Sequence, residues 1–175
     1  MNRNENAVVK YGFTYRQYVE DNSVNEEDVT HVRNWCETQS LPLLSEEQTI
    51  LFLLSCNNDV ALTKRTIEIA FEIKRNSPEI FDNRKMSGDD IQRVLRICEF
   101  CTVPQKTSDG STVLIFKAKR QEGDHVKWSM RGLLKLICML LEVAMFASPK
   151  CEFVIVFDVQ HVSNQNYHDY KQKRC

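Results

Sequence analysis

Apolar residues recur at helical spacing through the first half of the chain. Between Glu26 and Gln39, Val29, Val32 and Cys36 fall three and four apart with Trp35 beside them, and Ser40-Leu-Pro42 ends the helix this predicts. Ser45-Glu-Glu-Gln48 is a capping-box pattern, in which the serine oxygen takes a free N–H and the glutamine reaches back. The apolar run Ile50 to Leu54 follows it. Asn57-Asn58-Asp59 breaks that run and caps a further helix from Val60 to Arg75, where Leu62, Thr66, Ile69 and Ile73 share one face and Ile67 and Phe71 lie beside it. Ser77-Pro78 stops this helix, because the residue before proline is pushed out of helical space. Upstream, Phe13, Tyr15 and Tyr18 mark a short helix docked on the body, and residues 1–12 read as a loose tail.

Past a polar joint at Asp82 to Gly88 the pattern changes. Asp89 to Phe100 reads as a short amphipathic helix through Ile91, Val94, Leu95 and Cys98. Ser108-Asp-Gly110 is a turn signal. Val113 to Phe116 and Phe153 to Phe157 are continuous apolar runs of strand type, and the long helix Ser129 to Ala147 lies between them after a loop at Gln121 to His125. Two such strands joined by a helix predict parallel pairing with a right-handed crossover, one βαβ unit. Gln160 to Cys175 is polar and aperiodic.

Composition narrows the function classes. Apolar residues make up 42% and charged residues 27%, a globular profile, and the net charge of −1 favours neither nucleic acid nor an anionic surface. Seven cysteines, an odd number, follow no secretory signal, so reduced thiols in the cytoplasm are expected. The most apolar stretch, Met130 to Ala147, is interrupted by Arg131, Lys135 and Glu142, so no transmembrane segment is expected.

Candidate chemistry is sparse. Cys98-Glu-Phe-Cys101 has CxxC spacing, but no second pair or histidine couple follows to complete a zinc site, and buried core thiols are the expected reading. Asp158 ends a strand as a magnesium carboxylate does, yet the chain has five glycines and no GxxxxGK[ST] loop, so a turn or capping role is expected. His31, His125, His161 and His168 show no spacing to a serine or cysteine nucleophile. The basic end Lys171-Gln-Lys-Arg-Cys175 lacks a prenylation signal and reads as a solvated tail. No catalytic residue, metal or cofactor is assigned, and the protein is expected not to be an enzyme.

Phe13-Thr14, Val32-Arg-Asn-Trp35, Leu41-Pro42, Ile50-Leu-Phe-Leu-Leu-Ser-Cys56, Thr63-Lys-Arg-Thr-Ile67 and Ser77-Pro-Glu-Ile-Phe81, taken in order, resemble the helical domain that opens CRAL-TRIO proteins, in a variant similar to arthropod tocopherol-transfer-like ones. Asp109-Gly110, Val113 to Phe116 and Phe153 to Asp158 continue the resemblance over residues 13–163. It implies a mixed α and α/β fold: a helical domain at 13–83, a partial α/β lipid-binding domain at 88–163 and a polar tail at 164–175. It also implies non-enzymatic binding and transfer of a small hydrophobic ligand, lipid, tocopherol- or retinoid-like, with transient contact to phosphoinositide-bearing membranes. Leu134, Ile137 and Leu141 on the long helix, with Phe153, Ile155 and Phe157 on one face of the second strand, match pocket-lining positions; for any one of them, ordinary packing of a helix on a strand is the preferred reading. The family pattern Asp-x-x-Gly is broken, with His161 at the glycine place. The later strands and gate helix have no counterpart, so a truncated chain that binds weakly is expected. The alternative is a helical protein-interaction module at 13–83 beside a vestigial lipid domain.

Overall fold

A computed structural model describes residues 10–120, 129–149 and 152–161. They gather into two units, one from the described residues up to 75 together with 142–149, the other from 76–141 and 152–161. The expected loop at Gln121 to His125, and the tails at 1–9 and 164–175 with His168 and the terminal basic run, lie outside the described residues.

The first unit is helical: α1 (Tyr15–Glu20), α2 (Glu26–Thr38), α3 (Glu46–Ser55) and α4 (Val60–Asn76). Local chemistry sets their ends. The Asn25 side chain accepts from the Glu27 N–H at 2.9 Å, and Glu26, Glu27 and Asp28 put negative charge at the positive end of α2. At the far end Ser40 takes the left-handed conformation with φ 54°. Its N–H reaches Glu37 O at 3.2 Å and the Leu41 N–H reaches Cys36 O at 3.1 Å, the paired closure usually built on glycine. The capping box at α3 forms as predicted: the Ser45 N–H donates to Gln48 Oε1 at 2.9 Å and the Gln48 N–H to Ser45 Oγ at 3.2 Å. Asn57 and Asn58 make the turn at φ 53° and 60°, and Asp59 Oδ1 accepts from the Leu62 N–H at 2.9 Å to open α4.

The core of this unit joins Val29, Val32 and Cys36 of α2 to Ile50 and Leu53 of α3 and Ile67 of α4, closed by Phe13, Val24 and Leu44 from the connections. Burying one such side chain contributes about 1.5–3 kcal/mol. Polar ties fix the connections. Asn58 Nδ2 donates to Ser23 O at 2.8 Å, 35 residues away in sequence, and Arg33 Nε donates to Leu44 O at 3.1 Å.

The second unit holds α5 (Pro78–Phe81), α6 (Asp89–Ile97), β1 (Cys98–Thr102), β2 (Thr112–Ala118), most of α7 (Met130–Ala147) and β3 (Phe153–Asp158). The sheet order is β1-β2-β3. β2 and β3 pair in parallel from Thr112↔Phe153 to Lys117↔Asp158, as the βαβ pattern predicts. β1 pairs antiparallel with β2 from Cys98↔Ala118 to Thr102↔Leu114. Among the described residues the architecture is therefore helical with a small three-stranded sheet.

β1 corrects the expectation that Asp89 to Phe100 is one helix. Helical periodicity carries through Ile91, Val94, Leu95 and Cys98, but Cys98 is already extended at φ −129°, ψ 149°. From there pairing with β2 outweighs the local pattern, since strand preference is decided by neighbouring strands. The core packs Ile91, Val94 and Ile97 of α6 and Leu133 and Leu136 of α7 on Leu114 and Phe116 of β2. Gly132 permits this approach: a Cβ there would stand 2.8 Å from Val94 Cγ2 and 3.0 Å from Asp90 O.

Candidate protein-interaction face

α4 carries two apolar stripes. Val60, Thr63, Ile67 and Phe71 face inward; Thr63 and Ile67 are fully buried, and Val60 and Phe71 pack against the helical core. The second stripe is Leu62, Thr66, Ile69 and Ile73. At about 100° per residue, its three aliphatic side chains lie roughly 120–160° around the helix from Ile67. The structure leaves them in water, with Leu62 48%, Ile69 45% and Ile73 49% exposed. The apolar face legible in the sequence is thus the outer one, and the core is made by its neighbours.

What fixes this orientation is the inner side. Lys64 Nζ lies 2.7 Å from His31 Nε2 and 5.5 Å from the Trp35 ring centroid, tying α4 to α2. Cys56 Sγ donates to Thr66 Oγ1 at 3.5 Å, so the hydroxyl in the middle of the outer stripe is held by the end of α3. Arg65 and Glu72, both exposed, stand on one flank of the stripe. Scattered exposed aliphatics are ordinary; here three line one helix face, interrupted by the Thr66 hydroxyl, which makes this face the candidate interaction surface. Covering three half-exposed aliphatic chains recovers about 2–4 kcal/mol before the costs of association.

The residues expected to line a pocket are placed as follows. Ile137, Leu141 and Phe153 are half-buried against the second core, whereas Leu134 is 44%, Ile155 37% and Phe157 52% exposed. Phe153, Ile155 and Phe157 share the sheet face of Leu114 and Phe116 through the parallel register, and Phe157 stacks on Phe116 at 5.2 Å between centroids. Two hollows on this unit, about 430 and 140 Å³, are lined by other residues, among them Leu95, Glu99, Phe100 and Ile115.

The remaining candidates settle simply. Cys98 is buried on β1, where burial pushes its thiol up to about 11. Cys101 is exposed, which corrects the reading of both as core thiols: alternation along a strand turns residues three apart to opposite faces. Asp158 Oδ1 accepts from the Gln160 N–H at 3.0 Å, a turn contact as expected. Among the described residues no group of three or more histidine, cysteine or acidic side chains could hold a metal ion. No described helix is long and apolar enough to cross a membrane. His31 contacts Lys64, and His161 is exposed; His125 and His168 lie outside the described residues.

Sequence reasoning missed the outer stripe as a site because spacing identifies a face without saying whether it is covered. A signal was present: α4 has more apolar positions than one stripe can use.

Residues 21–91 match a family model described as Pinta-like, UBA domain, while no curated protein matches the chain. The match runs from the start of the α1–α2 connection through the first turn of α6. It overturns the CRAL-TRIO resemblance drawn from the same helical segment. With that resemblance go the functions it implied: lipid transfer, a small hydrophobic ligand and phosphoinositide membrane contact. The second unit's small sheet carries no lipid-binding assignment. The alternative, a helical protein-interaction module, is the reading the match favours, and over residues 21–91 the chain is similar to a UBA domain.

Proposed function

We propose that the helical unit is a non-enzymatic protein-interaction module, that the outer face of α4 is its docking surface, and that ubiquitin is its partner. The exposed stripe Leu62–Ile69–Ile73 carries this reading. Ubiquitin follows from the similarity to UBA domains, which bind ubiquitin. Cys36, Cys56, Cys98 and Cys101 are free thiols, which supports a cytoplasmic location.

The mechanism is burial without chemistry. The bundle holds α4 rigid through Ile67 and the Lys64 contacts, so little backbone order is lost on docking, and the apolar strip supplies the gain. A partner presenting a small apolar patch with mixed charges at its rim would seat Leu62, Ile69 and Ile73 between Arg65 and Glu72 on one side and Thr66 on the other. The test is calorimetric titration of the chain with ubiquitin, repeated with Leu62→Ser and Ile69→Ser. Each substitution should weaken binding roughly fivefold to thirtyfold, about 1–2 kcal/mol, with the helical signal unchanged. Equal affinity in all three proteins would remove α4 from the interface.

A further inference from the structure

The outer stripe of α4 has a finer pattern than a helical face requires. Leu62, Thr66, Ile69 and Ile73 are spaced four, three and four. That is a heptad seam, with Thr66 and Ile73 at a and Leu62 and Ile69 at d, and such spacing keeps a stripe in line with a second helix along its length. The positions beside the seam are then fixed. Thr63 and Ala70 fall at e, and Arg65 and Glu72 at g. Thr63 is buried in the bundle and Ala70 is half-buried, so the e flank is turned toward the unit's own core. The g flank is open, and its two charges are opposite in sign and exposed.

Those charges select the occupant. In a parallel pair of identical helices g meets the e position five residues on in the partner, so Arg65 would face Ala70 and Glu72 would face position 77, past the end of α4. In an antiparallel pair g meets g. A two-fold axis through the middle of the seam sets Leu62 against Ile73 of the second copy and Thr66 against Ile69, and it sets Arg65 against Glu72 twice. The same residues satisfy both partners, as a two-fold contact requires.

We propose that the outer face of α4 also closes, antiparallel, on the same face of a second copy of this chain. This inference rests on the reading of that face as an interface, and it adds a regulation: self-association and partner binding exclude each other. The seam has four rungs over roughly 17 Å at 1.5 Å per residue, shorter than a standard stable interface provides. The dimer is therefore weak and reversible, populated at tens to hundreds of micromolar, on the order of 10⁻⁴ M.

Sedimentation velocity of the whole chain, from about 10 to about 500 µM, reads this directly. The expected result is a sedimentation coefficient that rises with concentration toward a dimer. Arg65→Glu and Glu72→Arg each set like charges opposite one another and should weaken association roughly tenfold, while the double substitution should restore it to within about threefold. Because these positions are exposed, circular dichroism should be unchanged in all three. A chain that stays monomeric throughout, or a dimer indifferent to both single substitutions, overturns the inference. A monomer that binds ubiquitin through α4 leaves the proposed function standing without it. A charge-dependent dimer that binds no ubiquitin leaves the dimer standing and removes that partner.

Discussion

Lys135 offers the sharpest test of the second unit. Its ammonium lies 3.0 Å from Asp90 Oδ2 across α6 and α7, with the lysine side chain 6% and the carboxylate 41% exposed. Asp90→Asn keeps the shape and the acceptor for the Ile91 N–H, now held by Oδ1 at 2.9 Å, but leaves an enclosed ammonium without its counter-charge. Breaking one member of a fully buried pair costs about 3–5 kcal/mol, and an exposed pair contributes under about 1 kcal/mol. With one end enclosed and the other wet, the expected loss is about 1–2 kcal/mol. Hydrogen exchange read on peptides of α6 and α7 should then speed up roughly fivefold to thirtyfold. Lys135→Met removes the charge rather than its partner and should stay within about 1 kcal/mol of the native chain. The pH dependence has a definite sign. The hydrogen bond from Lys135 holds the Asp90 carboxyl below its ordinary value, against the opposing effect of burial. Its stabilisation is therefore complete above the ordinary carboxylate value near 3.9 and is lost as pH falls through the lower folded value. The gap between native and Asp90→Asn in urea unfolding should be constant from about pH 5 to 7 and shrink below about pH 4. A substitution without effect at neutral pH, or a gap that persists in acid, would refute the ion pair as the source.

Three further outcomes follow from the geometry. Gly132→Ala gains about 1 kcal/mol of helix propensity but drives a Cβ into Val94 and the Asp90 carbonyl, so urea unfolding should show a net loss of about 1 kcal/mol. Ser40→Gly relieves a left-handed residue at the end of α2 and should raise stability by about 0.5–1 kcal/mol in the same assay. Iodoacetamide at about pH 8, mapped by peptide mass spectrometry, should modify exposed Cys101 first, and Cys98 and Cys36 only on unfolding, since burial raises both of those thiols.

Much of the fold was legible because its signals are local. The Ser45–Gln48 box, the Asn57-Asn58 turn and the two apolar strands depend on residues within a few positions of each other, and each formed where the pattern put it. β1 was not legible. Its alternation is hidden beneath helical spacing that begins at Ile91, and only pairing with β2, more than ten residues on, decides the matter. Lys135 shows the same limit from the other side: in sequence it interrupts an apolar helix, and in the structure a carboxylate 45 positions away accounts for its burial. The proposed docking face was half legible. Spacing grouped Leu62, Thr66, Ile69 and Ile73, but which of two apolar stripes turns inward depends on contacts with α2 and α3. The resemblance to lipid carriers rested on the order of short apolar runs, and a helical bundle of another kind supplies the same runs for packing reasons alone.

The central claim is that α4 presents its outer stripe to a protein partner. The direct measurement is a ¹⁵N-labelled titration of the chain, kept dilute, with unlabelled ubiquitin. The account predicts shifts that concentrate on Leu62, Thr66, Ile69, Ile73 and their α4 neighbours and vanish in Ile69→Ser. Unmoved α4 resonances up to about 1 mM ubiquitin, a range that would detect even weak binding of about −4 kcal/mol, would contradict it.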